Sequence, residues 1–151
     1  MKFLFVDEEN AYESQIAAAV ANDLFSRAGH DITASSRGLA VPEGKRVSEF
    51  TRTILIGIDI ELKEEQMIAK SVSQEDIDEA DVVMTMTGEQ KEMLKNVCPP
   101  EKLFTFLEYT SEVDQDVMSP KGHALNAYQA CIYGMGEAFG NLMERWEDEQ
   151  M

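Results

Sequence analysis

The chain has 151 residues, enough for one domain with a sizeable core over residues 1–151. Its 29 acidic and 13 basic residues give a formal net charge of -16, which argues against nucleic acid and anionic membranes as partners. The charge is typical of a soluble, self-repelling surface, and a basic protein partner is the alternative interpretation. Two cysteines are too few for a disulfide framework, and the apolar run after Lys2 is too short for a signal peptide. Since no stretch could span a bilayer either, we expect a cytoplasmic protein.

The first half of the chain predicts two strands and two helices. Residues 3–6 form an unbroken apolar run, which is typical of a strand buried on both faces of a parallel sheet. Apolar residues at helical spacing then predict a helix over residues 14–28. A second strand is predicted at residues 31–35 and a second helix at residues 47–55, whereas residues 58–60 fit either a strand or a linker.

The second half continues the alternation. Ser73, with Asp76 three residues later, predicts a capped helix start. The elements predicted after it are a strand, a helix, a strand, a long loop and a final helix, at residues 81–86, 88–97, 102–107, 109–122 and 125–146. Glycine weakens a helix by ~1 kcal/mol relative to alanine. We therefore expect Gly134, Gly136 and Gly140, inside the final helix, to pack closely on the sheet.

Strands that alternate with helices predict an α/β fold with a parallel sheet and helices on both faces. The loop between the first strand and the first helix, residues 7–14, then lies at the carboxyl edge of the sheet, where such folds bind ligands. It holds four carboxylates, those of Asp7, Glu8, Glu9 and Glu13, and no basic side chain.

Several segments, in order along the chain, carry a resemblance to a known family. They are Val6, Asn10 and Ser14 ahead of an alanine-rich helix, then residues 34–38, 57–60, 79–87 and 103–109, and finally Ser119-Pro120-Lys121-Gly122. Together they resemble the low-molecular-weight protein tyrosine phosphatases, a family that includes arginine phosphatases and thioredoxin-linked arsenate reductases. The resemblance covers nearly the whole chain and implies a three-layer α/β/α fold with a four-stranded parallel sheet in the order 2-1-3-4.

The departures from the family pattern fall on its catalytic groups. The family motif Val-Cys-x-Gly-Asn-x-Cys-Arg-Ser supplies a thiolate nucleophile and an arginine that grips the phosphoryl oxygens, and a later aspartate protonates the leaving group. Here the nucleophile, arginine and general-acid positions hold Asp7, Glu13 and Ser119. The loop glycine, the second cysteine and the aromatic residue after the proline are replaced by Glu9, Tyr12 and Lys121.

The resemblance therefore implies a vestigial phosphate loop and a vestigial general-acid loop, with no intact catalytic residue. The vestigial phosphate loop consists of Asp7, Glu8, Glu9, Asn10, Ala11, Tyr12, Glu13 and Ser14, and the vestigial general-acid loop of Ser119 and Pro120. We expect Asp7 or Glu13 to dock on the loop's own N–H groups as a built-in anion. We also expect Tyr12 to take the space of the phosphate, and Glu9 to strain the turn if its φ must be positive.

These replacements predict a catalytically inactive phosphatase homologue that binds or regulates a protein partner and needs no cofactor or metal. Three alternatives stay open. Asp7 could act as a carboxylate nucleophile with a magnesium ion. The chain could be a receiver-like signalling domain with Asp59 as phosphoacceptor. The acidic loop could bind calcium or magnesium through its carboxylates. Cys98 is expected to be a bystander thiol and Cys131 a core residue. The sequence does not fix the oligomeric state.

Overall fold

The computed structural model describes residues 1–150 and is built on a four-stranded parallel sheet. The strands are β1 (Lys2–Asp7), β2 (Thr33–Gly38), β3 (Val82–Thr85) and β4 (Leu103–Thr105). All pairings are parallel and the spatial order is β2-β1-β3-β4, which confirms the predicted order and class. β1 is therefore a central strand, and the loop that follows it opens between β2 and β3 at the carboxyl edge.

Six helices surround the sheet. They are α1 (Glu13–Arg27), α2 (Glu49–Ile56), α3 (Gln74–Glu79), α4 (Gly88–Leu94), α5 (Phe106–Ser111) and α6 (Leu125–Glu149), with short 3-10 turns at Glu64–Met67 and Pro100–Lys102. Within residues 1–150, no helix combines the length and the apolar content that crossing a bilayer would require.

Alternation along β1 divides the core between the two faces of the sheet. Phe3 and Phe5 point to the face covered by α1 and α6, where Phe5 lies 5.9 Å from Phe139 between ring centroids. Leu4 and Val6 point to the opposite face and pack with residues of α3 and α4. Both faces are buried, as expected for a parallel strand with an unbroken apolar run. Packing on both faces thus fixes the position of β1 and of the start of the loop that follows it.

Helix α5 is the main element that the sequence analysis missed. The prediction of a strand to residue 107 and a loop from residue 109 was wrong, because the strand ends at Thr105 and a helix starts at Phe106. The Thr105 hydroxyl accepts a hydrogen bond from the Glu108 amide at 3.2 Å, and Glu108 Oε1 accepts one from the Thr105 amide at 2.8 Å. The same kind of reciprocal cap is formed by Ser73 and Asp76, where it was predicted and is confirmed.

The glycines of α6 do not pack against the sheet. A Cβ atom placed on Gly134, Gly136 or Gly140 would meet nothing within 4 Å, so the predicted reason for these glycines was wrong. Residues 58–60 are also not a strand but part of a turn and the chain after it, with Asp59 in the left-handed region at φ 64°.

Gly38 is the glycine whose missing side chain shapes the site. It ends β2 opposite Asp7 in the sheet register. A Cβ at this position would lie 2.6 Å from Val41 Cγ2 and 2.9 Å from both the Asn10 nitrogen and the Glu8 oxygen. Two of these contacts are with backbone of the loop after β1, which cannot rotate away. The loop therefore packs directly on the end of β2.

Replacement of Gly38 by Ala should lower the free energy of unfolding by roughly 1–3 kcal/mol, the usual cost of overpacking. Urea denaturation followed by circular dichroism measures this change. Gly140→Ala is the matched control. That site is open, and alanine favours the helix, so the control should gain up to ~1 kcal/mol. Equal effects of the two substitutions would contradict the close approach at Gly38.

Candidate functional site

The loop between β1 and α1 is held in shape by Asn10. Asn10 is the residue in the left-handed region, at φ 58°, whereas Glu9 has no positive φ, so the condition under which Glu9 would strain the turn is not met. The Asn10 side-chain nitrogen donates to Ser14 Oγ at 3.1 Å and to Ser36 Oγ at 2.9 Å. Its oxygen accepts from the Lys70 amide at 2.9 Å. Asparagine tolerates this backbone conformation better than most residues, which explains its place in the turn.

Asp7, at the end of β1, directs its carboxylate back into the loop. It is 1% exposed, and its two oxygens accept hydrogen bonds from the amides of Asn10 at 2.7 Å and Ser14 at 3.0 Å. Ser14 lies in the first turn of α1, so the carboxylate sits where a helix N-terminus favours an anion. Burial nevertheless raises the Asp7 pKa to about 6, outweighing the hydrogen bonds that lower it.

Glu13 is the first residue of α1 and is buried beside Asp7, with 5% of its surface exposed. Its Oε2 accepts a hydrogen bond from Ser119 Oγ at 3.0 Å. The pKa of Glu13 is raised to about 7, first by burial and then by the negative charge of Asp7. The positions equivalent to the family's arginine and general acid therefore touch in this chain, but through a carboxylate and a hydroxyl.

Glu9 is the loop carboxylate that pairs with lysine side chains. Lys121 makes a direct ion pair and hydrogen bond with it, and Lys45 Nζ lies 3.7 Å from its Oε1. The Lys121 hydrogen bond is the largest cause of the lowered Glu9 pKa. Lys121 is half-exposed, so solvent screens the pair and it adds little to the stability of the fold.

Tyr12 lies between the two lysines. Its ring centroid is 5.4 Å from Lys45 Nζ and 5.9 Å from Lys121 Nζ, and its hydroxyl accepts from Lys45 at 3.2 Å. These distances are within the range of cation–π attraction. Tyr12 forms one wall of an open cleft, and the idea that its ring takes the place of a phosphate stays a prediction.

We call this opening the acidic cleft. It encloses about 430 Å³. Its charged lining comprises Asp7, Glu8, Glu9, Glu13, Glu89 and Lys121. The rest of its wall includes Leu39, Met93 and Val117. Five carboxylates against one ammonium group make the cleft a poor receptor for an anion.

The sequence analysis identified most of the acidic residues but not all of their partners. Glu89, Lys45 and the Glu9–Lys121 ion pair were missed. The pair could have been predicted, because Glu9 and Lys121 both depart from the family pattern and carry opposite charges. Ser119 of the vestigial general-acid loop reaches the cleft, whereas Pro120 lines a second opening next to it, whose wall is mostly apolar.

Residues of the alternative hypotheses are not assembled here. Asp59 lies in a turn and does not follow a strand, which removes the geometry of a receiver phosphoacceptor. Residues 1–150 contain no group of three or more histidine, cysteine or acidic side chains arranged to hold a metal ion. Cys98 is buried in the core between α4 and the sheet, and burial raises its pKa. Cys131 packs against the edge of the main core, and burial raises its pKa to about 12, so neither thiol is activated.

Comparison with known proteins identifies relatives over the whole chain. A family model described as low molecular weight phosphotyrosine protein phosphatase matches residues 2–151. A protein-arginine-phosphatase of Geobacillus stearothermophilus is 27% identical over 151 residues, covering 99% of this chain and 98% of that protein. The low molecular weight protein-tyrosine-phosphatase PtpB of Staphylococcus epidermidis is 29% identical over 130 residues, covering 85% of this chain and 87% of the relative.

A solved structure agrees with these matches. The low molecular weight protein tyrosine phosphatase from T. tengcongensis superposes with a TM-score of 0.87 and 29% identity, covering 96% of this chain and 99% of that one.

The two buried carboxylates predict a stability that falls as the pH rises. Their pKa values are raised from ordinary values of about 4 to about 6 for Asp7 and about 7 for Glu13, so the folded state holds protons that the unfolded state has released. This contribution to stability is fully present below about pH 4, the unfolded pKa, and is lost as the pH rises from there through the folded values. Between about pH 5 and about pH 8 the free energy of unfolding should fall by on the order of 3 kcal/mol, measured by urea denaturation.

Glu13→Gln should flatten this dependence above about pH 6 and stabilise the protein at about pH 8, since the amide carries no charge but still accepts the Ser119 hydrogen bond. Glu9→Gln is the matched control. Its pKa is lowered, so its contribution is lost only toward acid, and the decline toward about pH 8 should persist. A decline unaffected by Glu13→Gln would contradict the assignment.

Proposed function

Because the chain belongs to the low molecular weight phosphotyrosine protein phosphatase family and yet fills the family's phosphate site with carboxylates, we propose that it is an inactive member that acts by binding a protein partner. The observation that carries this proposal is the Asp7 carboxylate, which accepts hydrogen bonds from the amides of Asn10 and Ser14 at the start of α1. Two amide donors that could bind an external anion already donate to a carboxylate of the chain, as expected if the loop no longer binds phosphate.

Electrostatics supports the same conclusion. The family pattern places an arginine at position 13 that grips phosphoryl oxygens with a forked pair of hydrogen bonds. Glu13 reverses that charge. A like-charge pair at ~4 Å with an effective dielectric constant near 20 costs about 4 kcal/mol, so an attraction of this size becomes a repulsion. A phosphate dianion would also lie next to the partly ionised Asp7, which adds to the penalty.

Catalysis would lack its acid and its nucleophile. Ser119 holds the general-acid position, but its hydroxyl does not release a proton near neutral pH and already donates to Glu13. A carboxylate could replace a thiolate in forming a phospho-enzyme, but the lone pairs of Asp7 that would attack are engaged by the two loop amides.

The direct test is a titration of the purified protein with phosphate and with vanadate, together with an assay of para-nitrophenyl phosphate hydrolysis with and without magnesium. We expect no binding at millimolar anion and no turnover. Hydrolysis that Asp7→Asn abolishes would contradict the proposal and would identify Asp7 as a nucleophile. Phosphate binding at millimolar concentration or below would also contradict it.

The proposal also predicts that anion binding can be restored. The double variant Asp7→Cys/Glu13→Arg should bind phosphate more tightly than the wild type by at least about tenfold, since a charge-assisted pair is returned to the cradle. Asp7→Cys alone is the control, and Glu13 should keep it from binding. Equal affinity of the single and double variants would contradict the role assigned to Glu13.

A further inference from the structure

A second cleft lies next to the acidic cleft, on the other side of the vestigial general-acid loop. Val117 and Ser119 line both openings, so the two form one continuous surface. We call the second opening the apolar groove. It encloses about 370 Å³, and its wall includes Met118, Pro120, Ala127, Ala130, Cys131 and Gly134. An acidic cleft joined to an apolar groove could receive a chain segment that carries both a cation and an apolar side chain.

Glu13 lines the acidic cleft with a carboxylate that, among the other residues of 1–150, accepts a hydrogen bond only from Ser119. Glu13 is only 5% exposed, and its Oε2 accepts the hydrogen bond from Ser119. Oε1 receives no hydrogen bond from any other residue among residues 1–150, and it is not sealed off from solvent, since no buried side-chain oxygen in this range lacks a partner. Oε1 therefore faces the cleft that Glu13 lines, where a cationic donor could reach it.

Cations of the chain itself already lie at the edge of this cleft. Lys45 and Lys121 both approach the Tyr12 ring and both pair with Glu9. The aromatic face and the carboxylates thus favour positive groups. Because the Lys121 side chain is 53% exposed, an incoming cation could displace it at little cost.

The apolar groove has a floor that the protein's own packing does not explain. Gly134 lies within α6, nothing would meet a Cβ atom there within 4 Å, and the groove passes over it. Glycine at this position costs helix stability without any internal contact in return. Of the three open glycines of α6, Gly134 is the one that lines the groove, so its missing side chain leaves space there for a bound group. Met118, on the groove's rim, is 81% exposed, which leaves a flexible apolar group available to cover that side chain.

We propose that this surface binds a segment of a partner protein in which an arginine enters the acidic cleft and a neighbouring aliphatic side chain enters the apolar groove. The inference deepens the proposed binding function and rests on it. Arginine fits better than lysine because its planar fork can donate to Glu13 Oε1 and to Glu8 while it stacks on Tyr12. The net charge of -16 steers a basic segment toward the surface and repels an acidic one.

The test uses a blocked peptide, Gly-Ser-Leu-Arg-Leu-Ser-Gly, titrated into the full-length protein at low salt and followed by amide chemical shifts. We expect saturable shifts at residues 12–13, 117–119 and 130–134. A peptide with citrulline in place of arginine, or with serine in place of both leucines, should bind at least about tenfold more weakly, because each loses one of the two contacts. The affinity should fall as salt is added.

Two matched pairs of variants locate the contacts. Glu13→Gln should weaken binding by roughly tenfold, the value of a charge-assisted hydrogen bond, while Glu92→Gln on the outer surface of α4 should not. Gly134→Ala should stabilise the helix but weaken the leucine peptide several-fold, because the new methyl group occupies the groove. Gly140→Ala should give the same stabilisation with unchanged binding. These pairs separate a binding role from a change in folding.

Several results would overturn the inference. They are no binding of the arginine peptide, equal affinity for the citrulline peptide, shifts away from both clefts, or Glu13→Gln without effect. Self-association of the protein that Gly134→Ala abolishes, seen by sedimentation without peptide, would assign the groove to a second copy and would also overturn it. Failure of the proposed function is distinguishable, because it would appear as phosphate binding or hydrolysis. The inference fails separately if the loop rejects phosphate and also ignores the arginine peptide.

Discussion

The site depends on one interaction, the capture of the Asp7 carboxylate by the amides of Asn10 and Ser14. β1 is buried on both faces and delivers this side chain to the start of α1, where amides and the helix dipole favour negative charge. Burial opposes the charge, and the raised pKa of Asp7 records that opposition. A carboxyl group of the chain itself thus accepts the hydrogen bonds of two loop amides.

The remaining replacements compensate one another in pairs. Glu13 and Ser119 stand at positions where the family pattern has arginine and aspartate, and here they hydrogen-bond at 3.0 Å. Glu9 and Lys121 stand where the pattern has glycine and an aromatic residue, and here they form an ion pair. Each pair still connects the loop after β1 to the segment before α6. The side-chain bonds from Asn10 to Ser14 and Ser36 do not involve a replaced position, whereas the Asn10 amide donates to Asp7, which is one.

The sequence predicted the sheet well because buried parallel strands are recorded as short apolar runs, and the cap at Ser73 because capping is local. It missed α5 because apolar residues continue from Leu103 through Leu107, so the strand and the helix read as one segment. The open space over Gly134 depends on what does not pack there, which no local pattern encodes. The four carboxylates of the loop were found from its place between the first strand and the first helix, but the contacts of Lys45 and Lys121 join distant parts of the chain and appear only after folding.

The hydrogen bond between Glu13 and Ser119 joins residues 106 positions apart in the chain. During synthesis, the first strand and helix leave the ribosome long before the segment that covers Glu13 exists. The acidic pair therefore remains in water, fully ionised, until the last quarter of the chain arrives. Enclosure of Glu13 is accordingly a late event in folding, coupled to docking of α6. A nascent or truncated chain would present the loop in a different charge state from the mature protein.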